Sequence, residues 1–498
     1  MLKRIRTILA VVFFVGITLL FLDFTGLAHK YLYWMAGLQA LPALLAVNIG
    51  VVVGILALTL LFGRLYCSII CPLGVMQDGI FALRRRLNKR YFTQCDPHGS
   101  KPLPWLRWAV LGLFAVLMVA GLNQVAILIA PYSAYGRMAS TMLQPLYLWL
   151  NNLLASIAEH YGSYAFYRVD VWLKAGSTLV VAVVSFLLIA ILAWRGGRTW
   201  CNTVCPVGTV LGFVSKYSLF KIVFDLDKCN GCTACARKCK ASCINASEHE
   251  IDFSRCVACM DCINNCHEGA ISYKFVGWGK SKQQGHSEGR RTFLVASAAV
   301  AATSALAAKE KEIDGGLAVI EDKKIPVRPT PVKPAGSKSN KHFAQHCTAC
   351  QLCVSACPNG VLRPSSDLST LMQPEMSFER GYCRPECVRC SEVCPAGAIS
   401  RITPADKTQY KVGLAIYEAK NCVVNTDGVK CGHCATHCPT GAIVLVPKHA
   451  GDDPNLPMTL KVPAVDESKC IGCGACEHLC PARPYSAIYV VGREEHLG

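Results

Sequence analysis

This sequence lacks the usual signatures of soluble enzymes. It has no Walker loop, no glycine-rich dinucleotide fingerprint and no plausible Ser/His/acid constellation, which argues against nucleotide-driven and hydrolytic chemistry. Histidine is sparse, 13 in 498 residues, and scattered (His29, His98, His160, His267, His286). No pair falls inside an apolar run, where two would be needed to hold a transmembrane haem. Charge is also low, at 17% of residues, against about 25% in ordinary soluble chains. The balance is positive, +18, but no helix-turn-helix or aromatic-rich basic module accompanies it. The lysines and arginines mostly sit at the ends of apolar runs, where membrane topology explains them better than nucleic acid does.

Apolar residues and cysteine are abundant. Hydrophobic residues make up 52% of the chain and the mean hydropathy is +0.33, both high for a soluble protein. Four runs, Thr7–Phe24, Ala40–Phe62, Ala109–Ala130 and Ala175–Trp194, approach the roughly 20 residues a helix needs to cross about 30 Å of hydrocarbon. Basic residues cluster before the first run (Lys3, Arg4, Arg6), after the second (Arg64, Arg84, Arg85, Arg86, Lys89, Arg90, Lys101) and after the fourth (Arg195, Arg198, Lys216, Lys221). The positive-inside rule then puts these segments in the cytoplasm. A C-x3-C-P pair follows the second run (Cys67, Cys71) and another follows the fourth (Cys201, Cys205). In helical segments each pair presents two sulfurs on one face. Together they offer four thiolates to an additional metal centre, or act as redox dithiols.

Of the 30 cysteines, 24 fall into six groups of four whose spacing is that of iron–sulfur ligands rather than disulfides or zinc. The remainder are the two C-x3-C-P pairs, Cys95 and Cys243. In the first module, Cys229, Cys232, Cys235 and Cys239 are followed by Cys256, Cys259, Cys262 and Cys266. The fourth cysteine of each run in such modules ligates the other cluster. The expected sets are therefore Cys229, Cys232, Cys235 with Cys266, and Cys256, Cys259, Cys262 with Cys239. Cys243 is an alternative to Cys239.

The second module carries Cys347, Cys350, Cys353, Cys357; Cys383, Cys387, Cys390, Cys394; Cys422, Cys431, Cys434, Cys438; and Cys470, Cys473, Cys476, Cys480. All four groups end in Cys-Pro, and the middle two are stretched at their first gap. Spacing leaves open whether they exchange ligands in consecutive or nested pairs. The expected total is about six 4Fe-4S clusters.

Between the modules lies Ser287–Ala308, SEGRRTFLVASAAVAATSALAA. Its Arg290-Arg291 pair, Phe293, Leu294, modest apolar run and closing Ala305-Leu306-Ala307 form an internal twin-arginine-like export signal. Phe293–Ala308 would cross as a short fifth span. The expected architecture is an α-helical membrane domain (1–215), a two-cluster ferredoxin module (216–280), the signal (287–308), a proline-rich linker (309–341) and a four-cluster module (342–498). Both modules are expected to be α+β.

Four spans, two C-x3-C-P motifs and a trailing two-cluster ferredoxin make residues 1–275 resemble the NapH/MauN-type membrane ferredoxins. These accompany periplasmic nitrate reductase and methylamine dehydrogenase systems. The flavin-binding domain of the wider group's NosR regulators is not seen between spans one and two. Residues 287–498, from the twin-arginine stretch through KHAGDDPNLPMTLKVPAVDESKCIGCGACEHLC to PARPYSAIYVVGREE, resemble the NapG/MauM-type exported ferredoxins. The resemblance implies a fusion of the two partners in a bacterial cytoplasmic membrane, with the first module cytoplasmic and the second periplasmic. It implies quinol as electron donor and a periplasmic reductase or cytochrome as acceptor. Alternative readings are copper reduction in oxidase assembly, with the C-x3-C-P thiols handling the metal, and redox sensing.

Overall fold

The computed structural model describes residues 2–87, 104–163, 165–172, 175–246, 248–277, 322–447 and 460–496. The Ser287–Ala308 signal lies outside them. The helical domain begins with α1 (Leu2–Leu22) and α2 (Leu27–Gly37), continues through α3 (Ala40–Leu45), α4 (Ile49–Phe62), α5 (Leu65–Ile69) and α6 (Pro72–Leu87), then α7 (Pro104–Val119) and α8 (Asn123–Ala126). It closes with α9 (Pro131–Met138), α10 (Gln144–His160), α11 (Gly176–Gly196), α12 (Thr199–Thr203) and α13 (Pro206–Ser215).

Among the described residues, two helices are long and apolar enough to cross a membrane, α1 and α11, each of 21 residues. The other two expected spans differ from their sequence reading. The run Ala40–Phe62 is broken after α3, where Val47 adopts φ 53° and the Asn48 side chain caps α4 by accepting from the Val51 N–H. The run Ala109–Ala130 ends its helix at Val119, turns through Gly121 at φ 77° and resumes as α8. The segment from Pro131 to His160, which follows the third run, is largely helical. All eight residues of α9 are buried, and a π-helical turn, Ala139–Leu143, leads into α10.

α1 is the axis of the molecule, packing on α2, α5 and α6. Gly16 lets α2 approach closely, since a Cβ there would lie 2.6 Å from the Met35 sulfur. At the N-terminal end of α1, Lys3 pairs with Asp261 of the first cysteine-rich module at 2.9 Å. At its C-terminal end, Phe21 packs against Gly136, whose own Cα sits over the Cys350 carbonyl of the second module. The two modules therefore occupy opposite ends of one 21-residue helix, about 30 Å long at 1.5 Å per residue.

The first module is held by two antiparallel pairs. β1 (Phe220–Phe224) pairs with β4 (Ile271–Phe275), and β2 (Ile244–Asn245) pairs with β3 (Glu250–Ile251). In the second module, β5 (Leu362–Pro364) pairs with β6 (Pro374–Met376). β7 (Gly413–Tyr417) pairs with β10 (Ile488–Gly492), and β8 (Ile443–Pro447) with β9 (Lys461–Val465). The described part of the proline-rich linker, residues 322–341, is packed as a strap on this module. Arg328 pairs with buried Glu477 and donates to the Val490 carbonyl, Met376 N–H donates to Val332 O, and Lys333 is buried against Phe343. Composition alone reads such a stretch as a spacer; its backbone groups instead find partners on the module.

Candidate metal centres

The C-x2-C-x2-C loops share a backbone device. The residue before the second cysteine and the residue after it both have positive φ: Gly231 and Thr233, Ala258 and Met260, Ala349 and Gln351, Gly472 and Gly474. Two left-handed residues curl the loop so that main-chain N–H groups turn inward, a concavity suited to anionic sulfur. Five of these positions carry side chains and adopt a costly conformation, as strained residues at functional sites do. A short helix then follows each loop, at Ala234–Arg237, Asp261–Asn264, Leu352–Ala356 and Ala475–Leu479.

In the first module, one cavity is lined by Cys229, Cys232, Cys235 and Cys266, and a second by Cys256, Cys259, Cys262, Cys239 and Cys243. Both expected sets are thus brought together, with Cys239 and Cys243 side by side, Sγ to Sγ 3.6 Å.

In the second module the structure brings cysteines of consecutive groups together, the arrangement of consecutive rather than nested pairs. Cys347, Cys350 and Cys353 share a cavity with Cys394, while Cys383, Cys387 and Cys390 share one with Cys357. Likewise Cys434 lies within electrostatic reach of Cys431, Cys422 and Cys480, and Cys473 of Cys470 and Cys438. The four sets form a row: Cys353 lies within electrostatic reach of Cys390, Cys473 of Cys383, and Cys476 of Cys434.

Burial pushes four of the thiols well up, Cys235 and Cys434 to about 11 and Cys259 and Cys473 to about 12, whereas hydrogen bonds from Cys243 lower Cys239 and Cys256. At neutral pH those four are thiols until a metal displaces the proton. Among the described residues, no three His, Cys, Asp or Glu side chains close tightly enough around a single ion. Cages of four sulfurs with backbone N–H groups turned on them fit a 4Fe-4S cube. Further hydrogen bonds reach Cys347 from Ala349 N–H (3.4 Å), Cys438 from Ala442 N–H (3.2 Å) and Cys383 from the Lys407 ammonium (3.2 Å).

The two C-x3-C-P pairs also converge. Cys67, Cys71, Cys201 and Cys205 are all buried and lie within electrostatic reach of one another. Sequence reasoning missed their frame, although a signal was present. Gly63-Arg64-x-Tyr66-Cys67 and Pro72-x-Gly74 recur as Gly197-Arg198-x-Trp200-Cys201 and Pro206-x-Gly208. Each arginine is fully buried and reaches into the other repeat: Arg64 donates to the Cys201 carbonyl at 3.3 Å, and Arg198 to the Cys67 carbonyl at 2.6 Å. Glycine is required at 74 and 208, where a Cβ would meet those same carbonyls at 2.4 and 2.3 Å. Gln77 donates to Cys201 Sγ (3.2 Å) and the Gly208 N–H to Cys205 Sγ (3.3 Å). Two guanidinium groups and these donors suit a cluster of four thiolates.

This tetrad lies between the modules. Arg64 also donates to the Ser254 carbonyl at 3.0 Å, two residues from Cys256. On the far side Tyr66 lies within reach of Cys71 and Cys205, and Tyr132 within reach of Tyr66, Cys350 and Cys394.

Comparison with known proteins agrees with this chemistry. Residues 44–90 and 178–225, each holding one C-x3-C-P pair, match a family model described as a 4Fe-4S binding domain. Residues 427–483 match a 4Fe-4S dicluster domain. Over 186 residues the chain is 30% identical to the methylamine utilization ferredoxin-type protein MauM of Methylobacillus flagellatus, spanning 37% of this chain and 77% of that protein. The chain belongs to the MauM family of ferredoxin-type proteins. MauM of Paracoccus denitrificans is 31% identical over 178 residues, 35% of this chain and 76% of that one. The ferredoxin-type protein NapF of Escherichia coli K12 is 29% identical over 160 residues, 32% and 85%. No solved structure matches. This MauM-type chain is an iron–sulfur electron-transfer protein, and 4Fe-4S clusters are the cofactors its cysteine cages hold.

Proposed function

We propose that the chain is a membrane-embedded conduit carrying electrons from the quinol pool to a periplasmic reductase or cytochrome, a nitrate-reductase-like system being the first to test. One observation carries this reading: a succession of cysteine sets, with the C-x3-C-P tetrad between two modules at opposite ends of α1. In this reading α1, α3 with α4, α7 and α11 are four spans. Their apolar outer faces support it, with Ile8, Val12, Val116, Val180, Val184 and Ile191 all at least half exposed. Such a belt is costly in water and expected in lipid.

The basic clusters then put the first module in the cytoplasm, and Ser287–Ala308 would lead the second to the periplasm as the retained signal of a fused partner. Six 4Fe-4S clusters would be held by the six cysteine sets and a further metal centre by Cys67, Cys71, Cys201 and Cys205. When bound, they supply one-electron carriers. The protein's part is to hold the cysteines, bury them and set the charge and hydrogen bonds around each sulfur.

Adding menaquinol or ubiquinol to membranes containing the full chain should bleach the visible iron–sulfur absorbance; no change with either quinol overturns the reading. Protease treatment of right-side-out spheroplasts should remove residues beyond the linker, and protection of that module would defeat the export part.

A further inference from the structure

A cavity of about 580 Å³ lies between the start of α10, the chain that follows it and the second module. That is within the roughly 300–1,000 Å³ of small-molecule sites. One wall is the segment Tyr167–Trp172, fixed by two amide side chains. Asn152 accepts from the Val169 N–H at 2.9 Å and donates to its carbonyl at 2.7 Å, while Asn151 donates to the Tyr167 carbonyl at 3.0 Å. Phe24 meets the Tyr167 ring edge to face at 5.6 Å. The opposite wall belongs to the second module and includes Tyr382, His478 and Cys357. The Arg380 guanidinium closes over the Trp172 ring, 4.9 Å from its centre.

We infer that this cavity binds the aromatic head group of a quinol; the inference rests on the quinol-fed reading above. The aromatic rings Tyr167, Trp172 and Tyr382 suit a flat ring. His478 Nδ1 lies 3.0 Å from the Phe378 carbonyl. A carbonyl only accepts, so Nδ1 carries the hydrogen and Nε2 is left as an acceptor for a quinol hydroxyl. Arg380 supplies a donor to the oxygen at the other end. Leu148 of α10 adds an apolar contact to the lining. A ring held here rests against Cys357, which completes the Cys383 set. An anionic lipid head group is the competing occupant, given Arg168, Arg380 and Arg384 in the lining.

The test is photolabelling of the full chain, in membranes, with an azido-quinone, followed by peptide mapping. Label is expected within residues 165–172 or 354–362, displaced by unmodified quinol and not by anionic phospholipid. Trp172→Ala and His478→Gln should each reduce labelling about tenfold, the loss of one buried contact or hydrogen bond, with the visible iron–sulfur absorbance unchanged as the check on folding. Displacement by phospholipid alone overturns the inference. Label confined to another segment, with quinol still bleaching the clusters, overturns this site and leaves the quinol-fed reading standing. If quinol neither labels nor bleaches the protein, both fall.

Discussion

The two modules are fastened to the helical domain by different chemistry. The first is held by a buried ionic network. Asp78 of α6 pairs with Arg198 at 2.6 Å, Lys240 at 2.8 Å and Arg6 at 3.6 Å; Lys240 continues to Asp261 at 3.3 Å, and Asp261 to Lys3. The second is held without an ion pair among the described residues: Arg380 and Arg401 lie over the Trp172 and Tyr33 rings, Arg389 donates to the Thr25 carbonyl, and the other contacts are neutral. Ser140 meets the Gln351 side chain at 2.9 Å, Asn123 donates to the Gln345 carbonyl at 2.8 Å, and Tyr33 to the Cys394 carbonyl at 3.4 Å. The difference lies in what each joint must also do. Arg198 belongs at once to the ionic joint and to the frame of the C-x3-C-P tetrad, so the first module's attachment and the tetrad's electrostatics are one structure. The joint without ion pairs relies on shape, with bare backbone at Gly136.

Five experiments would break or sharpen that contrast. The largest effect is expected from Cys71→Ser with Cys205→Ser. Transfer between the modules, followed by stopped-flow absorbance, should fall by about a hundredfold or more, beyond what loss of an outer partner costs a metal site. Both modules should keep their iron.

Asp78→Ala should come next. It leaves Arg198 and Lys240 buried without their carboxylate, a loss of about 3–5 kcal/mol, read as earlier protease release of residues 216–277 while the second module stays docked. The same joint should be acid-sensitive. Burial alone would raise the carboxyls of Asp78 and Asp261, but Arg198 and Lys240 hold the first, and Lys240 and Lys3 the second, below the ordinary range. Their folded values lie below the unfolded value of about 3.9, so the stabilisation is complete above that pH and is lost as pH falls through the folded values. Release of the first module should be unchanged between roughly pH 7 and 5 and rise below about pH 4.

A smaller effect is expected from Gly136→Ala. The new Cβ would face the Cys350 carbonyl at 2.4 Å and Phe21 at 2.8 Å, an overpacking that costs about 1–3 kcal/mol. It should loosen only the second module. The smallest is expected from Lys407→Met, which removes the ammonium that donates to Cys383 Sγ and to the Cys387 carbonyl at 2.6 Å. The potential of that site should fall by several tens of millivolts in a redox titration, with neither joint disturbed.

Much of the metal chemistry could be read from spacing. The local loops name their own cysteines, and the structure brings Cys239, with Cys243 beside it, and Cys266 to the sets they are expected to join, because both depend on short-range geometry repeated in the chain. The pairing of the four later groups could not be read, since consecutive and nested exchange have the same local spacing. Nor could the buried role of α9. Its sequence, PYSAYGRM, has no long apolar run; its small residues and tyrosines are placed by neighbours far along the chain, such as Thr18, which meets the Tyr135 hydroxyl at 2.5 Å. Arg64 and Arg198 were counted as loop charges marking topology. They are fully buried, and only the repeat that surrounds them distinguishes them from surface arginines.

The crossed arginines also bear on biogenesis. Each repeat supplies two sulfurs of the tetrad and the guanidinium that anchors the other repeat's backbone, so a ribosome that has released only α1 to α6 has made half a site with Arg64 unpartnered. A metal held by all four thiols would have to wait until Cys201 and Cys205 have emerged, and Arg64 would wait for the Ser254 carbonyl. The first module and the tetrad would then mature as a single event, late in synthesis.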